Sequence, residues 1–157
     1  MRTILIPTDF TSVPLLLLKH AVANSKEKLD VIFMYSTFLS TSITELLFSS
    51  PTKTINQAIS EEFRDGCSII QNRYGERIGN IRYEVLYGNN MSLFTSLVDA
   101  NRIDAVLLPT DYAFVSTGMM FDPTRLILNS PARVHKIDLH LTMRVSQHDI
   151  IAGLLTS

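Results

Sequence analysis

Two stretches of the chain share one pattern: Ile4-Leu5-Ile6-Pro7-Thr8-Asp9-Phe10 and Val106-Leu107-Leu108-Pro109-Thr110-Asp111-Tyr112. Each is an unbroken apolar run stopped by Pro-Thr-Asp and then an aromatic residue. Short apolar runs with such punctuation read as buried strands, because Pro and Asp end a strand and start a turn. If both strands belong to one parallel sheet, their carboxyl ends lie on the same edge, where open α/β sheets bind ligands.

Working outward from these two strands, apolar runs and helical periods alternate. Thr3 to Pro7 is the first strand. Thr11 or Ser12 can cap the helix that follows, with Pro14 tolerated in its first turn and Leu15, Leu18, Ala21 and Val22 inward, to about Lys26. Leu29 to Ser36 is a second apolar strand. Residues 37–53 are rich in Ser and Thr yet hold Phe38, Leu39, Leu46, Leu47 and Phe48, with a short helix expected over Ile43–Phe48. Ile55, Ile59, Phe63, Cys67, Ile70 and Tyr74 recur every three or four positions and predict one amphipathic helix from Thr54 to Tyr74. Ile81 to Tyr87 alternates as a strand. Ser92 is a candidate cap for a helix that turns Leu93, Leu97 and Val98 inward. Ala105 to Leu108 is the fourth strand. Asp122-Pro123 reads as an N-cap followed by proline at the first helical position. Ala132 to Ile137 is the fifth strand. The remainder alternates at Leu139, Leu141, Met143 and Val145, then carries a helical stripe at Ile150, Ile151, Leu154 and Leu155. Strands alternating with helices predict an α/β fold with an open five-stranded parallel sheet, helices on both faces, and a C-terminal extension.

Bulk properties narrow the function. The chain has 157 residues, enough for one domain with a substantial core. Its 46% hydrophobic content and net charge of −1 argue against disorder and give no electrostatic footprint for nucleic acid. No apolar stretch approaches the ~20 residues that span a bilayer, and Ile4 to Ile6 is too short for a signal peptide's apolar region. Cys67, the single cysteine, can form neither an intramolecular disulfide nor a cysteine-based zinc site; a cytoplasmic, reducing location is the default. Cys67 lies on the inward stripe of its helix and reads as a small core side chain. The four histidines (His20, His135, His140 and His148) share no ligand spacing, and no Gly-x-Ser-x-Gly elbow is present.

Ile4 to Thr11, a helix, and Leu29-Asp30-Val31-Ile32-Phe33-Met34-Tyr35 resemble the opening of a universal stress protein domain. Ile103-Asp104-Ala105-Val106-Leu107-Leu108, a loop, a helix and Ser130-Pro131-Ala132-Arg133-Val134 resemble its end. The resemblance spans residues 1–137, leaving 138–157 as an extension without counterpart. It implies an adenine nucleotide alpha hydrolase-like sheet of order 3-2-1-4-5, which puts the first and fourth strands side by side and both Pro-Thr-Asp turns at the switch point.

Family members that bind ATP carry Gly, two residues, Gly, nine residues, then Gly-Ser or Gly-Thr after the fourth strand. Such glycines let backbone amides approach phosphates at a helix N-terminus. Here the first two positions fall on Pro109, which has no amide hydrogen, and Tyr112, which brings a ring. The third falls within Met120 to Asp122, with Gly118 the nearest glycine. Asp122 as a cap would place a carboxylate where the phosphates would sit. Asp9 matches the family's acidic position and Ser36 a position that lines the base pocket, although Pro-Thr-Asp is equally a good strand stop.

The resemblance therefore implies a non-catalytic regulatory or interaction protein of a stress response, without a cofactor and not binding ATP. It also implies a homodimer through the fifth strand and the extension, while Phe38, Leu39, Leu46, Leu47 and Phe48, on a loop that would otherwise expose them, mark an interface with an unnamed protein partner or a lid over a pocket. Two alternatives stay open. One is an ATP or AMP binder with a remodelled Ser116-Thr117-Gly118 loop, whose candidate contacts are Pro7, Thr8, Asp9, Ser36, Thr110 and Gly118. The other is a small-ligand or metal site between Asp9 and Asp111, since two carboxylates at one sheet edge can hold a hard cation. No catalytic residue and no full metal-ligand set is identifiable. A receiver domain would need an Asp after the third strand, where Tyr87-Gly88-Asn89 stands.

Overall fold

A computed structural model describes residues 1–39, 42, 47 and 50–139. The described elements are β1 (Arg2–Thr8), α1 (Ser12–Asn24), β2 (Leu29–Thr37), α2 (Pro51–Ala58), α3 (Glu61–Arg73), β3 (Ile78–Tyr87), α4 (Met91–Ala100), β4 (Ala105–Pro109), α5 (Thr124–Leu128) and β5 (Val134–Ile137). All five strands are parallel, in the order β3-β2-β1-β4-β5. This is the expected α/β sheet. The short helix expected over Ile43–Phe48 and the extension beyond Leu139 lie outside the described residues, apart from Leu47.

The strands at the centre are buried on both faces, so they read as continuous apolar runs. On one face, α1, α2 and α3 cover Ile4, Ile6, Val31 and Phe33. On the other, Phe94 of α4 and Ile127 of α5 cover Leu5, Ile32, Met34, Val106 and Leu108. In α1 all four leucines from Leu15 to Leu18 are buried, because the helix is wedged between the sheet and α3. Gly66 permits this closeness: a Cβ there would lie 2.5 Å from Leu15 Cδ1.

Several boundaries differ from the sequence reading. The stripe from Ile55 to Tyr74 is carried by two helices. Ile59 is extended (ψ 134°), and Ser60 starts α3 by accepting a hydrogen bond from Phe63 N at 3.1 Å. The apolar period runs across the break, so periodicity could not reveal it; Ser60 followed by Glu61 and Glu62 was the available signal. Asn90, not Ser92, caps α4, accepting from Leu93 N at 3.1 Å. Phe94 takes the inward position and Leu93 is exposed, while Leu97 and Val98 pack on the core as expected. β3 begins at Ile78 instead of Ile81, and β5 at Val134 instead of Ala132. Among the described residues, no helix is long and apolar enough to cross a membrane.

Candidate functional site at the sheet switch point

The two Pro-Thr-Asp turns leave adjacent strands, and their prolines face each other. In a parallel sheet, alternate residues direct their backbone groups to opposite neighbours. Thr3 O accepts from Asp104 N, so Thr3, Leu5 and Pro7 turn their backbone toward β4. Val106 N donates to Arg133 O and Thr110 N to Ile137 O, so Ala105, Leu107 and Pro109 turn toward β1. Each strand thus presents a residue without an N–H at the same end of the shared edge. The β1–β4 ladder covers only Ile4↔Ala105 and Leu5↔Val106, whereas β1–β2 runs from Arg2↔Leu29 to Thr8↔Tyr35. The repeated proline therefore opens the crevice at the switch point.

The turns that follow the two prolines diverge. In the first, Thr8 Oγ1 accepts from Phe10 N at 2.9 Å, and Phe10 takes the left-handed conformation (φ 58°). Such a φ is strained for a bulky residue and persists only where packing holds it. Here the ring lies 5.2 Å from Tyr35 and 5.1 Å from Phe63, under the sheet edge. In the second turn Asp111 is the left-handed residue (φ 52°) and is exposed, and Tyr112 points back across the crevice.

Asp9 is where that loop is fastened. Its Oδ2 accepts from Val115 N at 2.9 Å and from Tyr112 Oη in a short hydrogen bond. Its Oδ1 accepts from Thr11 Oγ1 at 2.6 Å and Thr11 N at 3.2 Å, and Thr11 Oγ1 lies 3.1 Å from Tyr112 Oη. Burial first, and then this bond to Asp9, push the Tyr112 phenol up to about 12. The phenol is accordingly a neutral donor at ordinary pH.

Beyond Asp9 the loop continues to β2. Phe38 N donates to Met119 O at 2.9 Å, Phe121 N to Ser36 O at 3.1 Å, and Thr37 and Met120 form an antiparallel bridge. The Phe38 and Phe121 rings lie 4.7 Å apart. Because β1 stands between β4 and β2, a segment joining these two must cross the carboxyl end of β1. It crosses directly over the gap that the prolines open.

Asp122 ends the crossing. Its Oδ1 accepts from Thr124 N at 2.9 Å and Thr124 Oγ1 at 2.5 Å, and its Oδ2 accepts from Phe114 N at 3.3 Å. Pro123 occupies the cap position itself and α5 begins at Thr124, one residue later than the sequence reading placed it. The carboxylate still takes up the first free amide of the helix.

A cavity of about 450 Å³ remains on the α1 side of the crossing, lined by Asp9, Tyr35, Thr37, Gln57, Thr117 and Gly118 among others. Gly118 is left-handed (φ 61°) with open space where a Cβ would stand. Asp9 and Gly118 meet here. Pro7, Thr8, Ser36 and Thr110 do not line it. Thr8 Oγ1 is engaged by Phe10 N, and the Thr110 amide is bonded to β5. Ser36 pairs with Leu86 on the opposite face; its hydroxyl is fully buried with no hydrogen-bond partner among the described residues. Asp9 has its oxygens engaged by Tyr112, Val115 and Thr11, and Asp111 is exposed. Among the described residues no group of three or more His, Cys, Asp or Glu is arranged to hold a metal. Tyr35, Thr37, Thr11 and Val115 belong to the site and escaped the sequence reading. Of these only Thr11 carried a signal, as a cap. Cys67 is buried in α3 as expected, and burial raises its thiol to about 11.

The fold recurs in known structures. Universal stress protein UspA from Lactobacillus plantarum superposes with a TM-score of 0.54 at 14% identity, over 87% of this chain and 97% of that one. The hypothetical protein PH0823 gives 0.52 at 17% identity, over 87% and 96%. The hypothetical protein MJ0577 gives 0.50 at 16%, over 87% and 95%. At these identities the likeness is one of fold: the chain has the universal stress protein fold. No protein-family model and no curated protein matches the sequence.

Proposed function

We propose that this is a universal-stress-protein-like regulatory or interaction protein that is non-catalytic and works without ATP. The observation that carries the reading is the crossing of residues 112–121 over the carboxyl end of β1, fastened to Asp9 by Tyr112 and Val115. In a nucleotide site of this fold the same ground would hold phosphates against free backbone amides. Here Pro109 has no amide hydrogen, the Val115 amide is taken by Asp9, and the Asp122 carboxylate takes the Thr124 amide that begins α5. Three carboxylates, Asp9, Asp111 and Asp122, stand on this edge and oppose a triphosphate electrostatically.

A homodimer formed through β5 and residues 138–157 belongs to the same proposal, as does a cytoplasmic location. The four residues of β5 are half-exposed or exposed and include His135 and Lys136, which suits an edge that is paired by a second copy. Phe38 and Leu39, beside the crossing, and Leu47 remain substantially exposed and suit a protein partner.

A second reading rests on the 450 Å³ cavity, whose size and mixed lining suit a small ligand such as AMP held through Asp9, Thr117 and Gly118. Native mass spectrometry of the gently purified chain separates the two. The proposal expects the dimer mass with no adenine nucleotide. A retained adduct of the mass of AMP or ATP overturns it in favour of the second reading.

A further inference from the structure

The sheet has a second edge, opposite β5. β3 stands first in the spatial order, and its outer side meets no other described strand. Gly88 N donates to Thr37 O, so Arg82, Glu84 and Leu86 turn their backbone toward β2 with it. Ile81, Tyr83, Val85 and Tyr87 therefore turn their N–H and C=O groups outward, and no described residue takes them up. Native proteins commonly blunt such an edge by shortness, proline or a bulge. β3 has 10 residues and no proline, and its register irregularity lies before Ile81. Residues 81–87 are an open ladder.

The two faces of this edge differ. Ile81, Tyr83 and Val85 pair with Val31, Phe33 and Tyr35 and lie on the face covered by α1, α2 and α3. Arg82 and Glu84 pair with Ile32 and Met34 and lie on the face of α4 and α5. The Tyr83 ring is stacked 5.9 Å from Phe33, so it is drawn inward over the sheet and does not stand across the edge. On the same face a groove of about 500 Å³, lined by Ile55, Ile59, Arg64 and Ile81 among others, leaves room beside the strand.

Charge selects one register for a second copy of the same strand. In an antiparallel pair, residues at equal distances on either side of the two-fold axis stand opposite each other. An axis at Arg82 sets Arg82 against itself, and an axis at Glu84 sets Glu84 against itself; like charges directly opposite are destabilising. An axis at Ile81 or Val85 leaves both charges without a charged partner. Only an axis at Tyr83 sets Arg82 against Glu84 and Ile81 against Val85. In that register outward groups also meet outward groups at Ile81, Tyr83 and Val85.

We propose that β3 pairs antiparallel with β3 of a second copy about a two-fold axis at Tyr83, joined by the outward backbone groups of Ile81, Tyr83 and Val85 and by Arg82 against Glu84 on both sides of the axis. β3 and β5 are opposite edges of the sheet, so this contact does not compete with pairing through β5 and does not depend on it. Where β5 pairs, it joins dimers to one another. It is a strand edge without an apolar core, hence the weaker contact, and it dissociates at the dilution used for mass spectrometry.

Sedimentation equilibrium over a wide concentration range tests this on the full chain. The proposal expects the unaltered protein to grow beyond its dilute-limit mass as concentration rises. Arg82→Glu alone and Glu84→Arg alone should each abolish that growth, because each sets like charges opposite. An equimolar mixture of the two variants should recover it, as should the double exchange Arg82→Glu, Glu84→Arg. No growth in the unaltered chain, growth that survives either single change, or failure of the mixture to recover it would overturn the proposal. The dilute-limit mass reports pairing through β5 separately, as dimer or monomer. Hydrogen exchange of the unaltered chain gives an independent check: the Ile81, Tyr83 and Val85 amides should gain protection as concentration rises, while Arg82 and Glu84, already bonded to β2, should not change. Concentration-dependent protection elsewhere but not at these three amides would place the contact on another surface and contradict the proposal.

Discussion

The phenol of Tyr112 donates a hydrogen bond to Asp9 Oδ2, joining the turn after β4 to the turn after β1 across the sheet's switch point. Both residues come from the repeated Pro-Thr-Asp-aromatic pattern: the acid is contributed by the first copy and the aromatic ring by the second. The repeat thus supplies the opposed prolines that open the crevice and two of the groups that close it.

Replacing Tyr112 by Phe keeps the ring contact with Phe114, whose centroid lies 5.3 Å away, and removes only the hydroxyl. A hydrogen bond to a charged group contributes about 1.5–3 kcal/mol when buried, and the half-exposed setting lowers this to about 1 kcal/mol. Urea denaturation should show that loss as a lower midpoint with an unchanged slope.

Asp9→Asn should do more. The amide keeps the shape but turns an N–H group toward donors: placed at the Oδ2 position it leaves both Val115 N and Tyr112 Oη without their acceptor, and placed at the Oδ1 position it does the same to Thr11 N and Oγ1. A loss of about 2 kcal/mol is expected. Hydrogen exchange should report faster exchange at Val115 and at Phe38, two of the amides that pin the crossing, while the centre of β2 stays protected.

Alkaline pH should loosen the same latch. Tyr112 titrates near 10.0 when unperturbed and at about 12 in the folded protein, raised first by burial and then by the bond to Asp9. The neutral phenol is the form the fold favours, so its contribution is complete below about pH 10 and is lost as pH rises through about 12. Phenolate absorbance should show several tyrosines titrating above the ordinary range, since burial also raises Tyr35 and Tyr83, and Tyr112→Phe should remove one of them.

Cys67 should be inert in the native protein. Its thiol, buried between α3 and the sheet and 3.9 Å from Tyr83 Oη, is raised from 9.0 to about 11. Its thiolate fraction at neutral pH is then about a hundredfold below that of a free cysteine. Alkylation should therefore be slow in the native state and fast in denaturant.

How far the sequence carried these conclusions depends on the kind of information each needs. Apolar runs such as Val31 to Met34 and Ala105 to Leu108 announce buried strands because both faces of a central strand are covered. The strand order came through resemblance, since composition and period contain no statement about neighbours. The break at Ile59–Ser60 was hidden because Ile55, Ile59 and Phe63 keep one apolar stripe across two helices. Pro109 and Tyr112 were legible as departures from a phosphate-binding loop. That Pro7 and Pro109 face each other was not, because it depends on which phase of the alternation each strand turns to its neighbour. The Asp9–Tyr112 bond was likewise out of reach: it joins residues 103 positions apart, and the left-handed turn at Asp111 aims the ring at Asp9.

Calorimetric titration of the full chain with Mg-ATP tests the central claim most directly, with ADP and AMP titrated alongside. The crossing loop and its carboxylates predict no saturable heat with any of the three. Saturable micromolar binding of ATP would contradict the closed crevice and place Asp9 and Gly118 in a working nucleotide site.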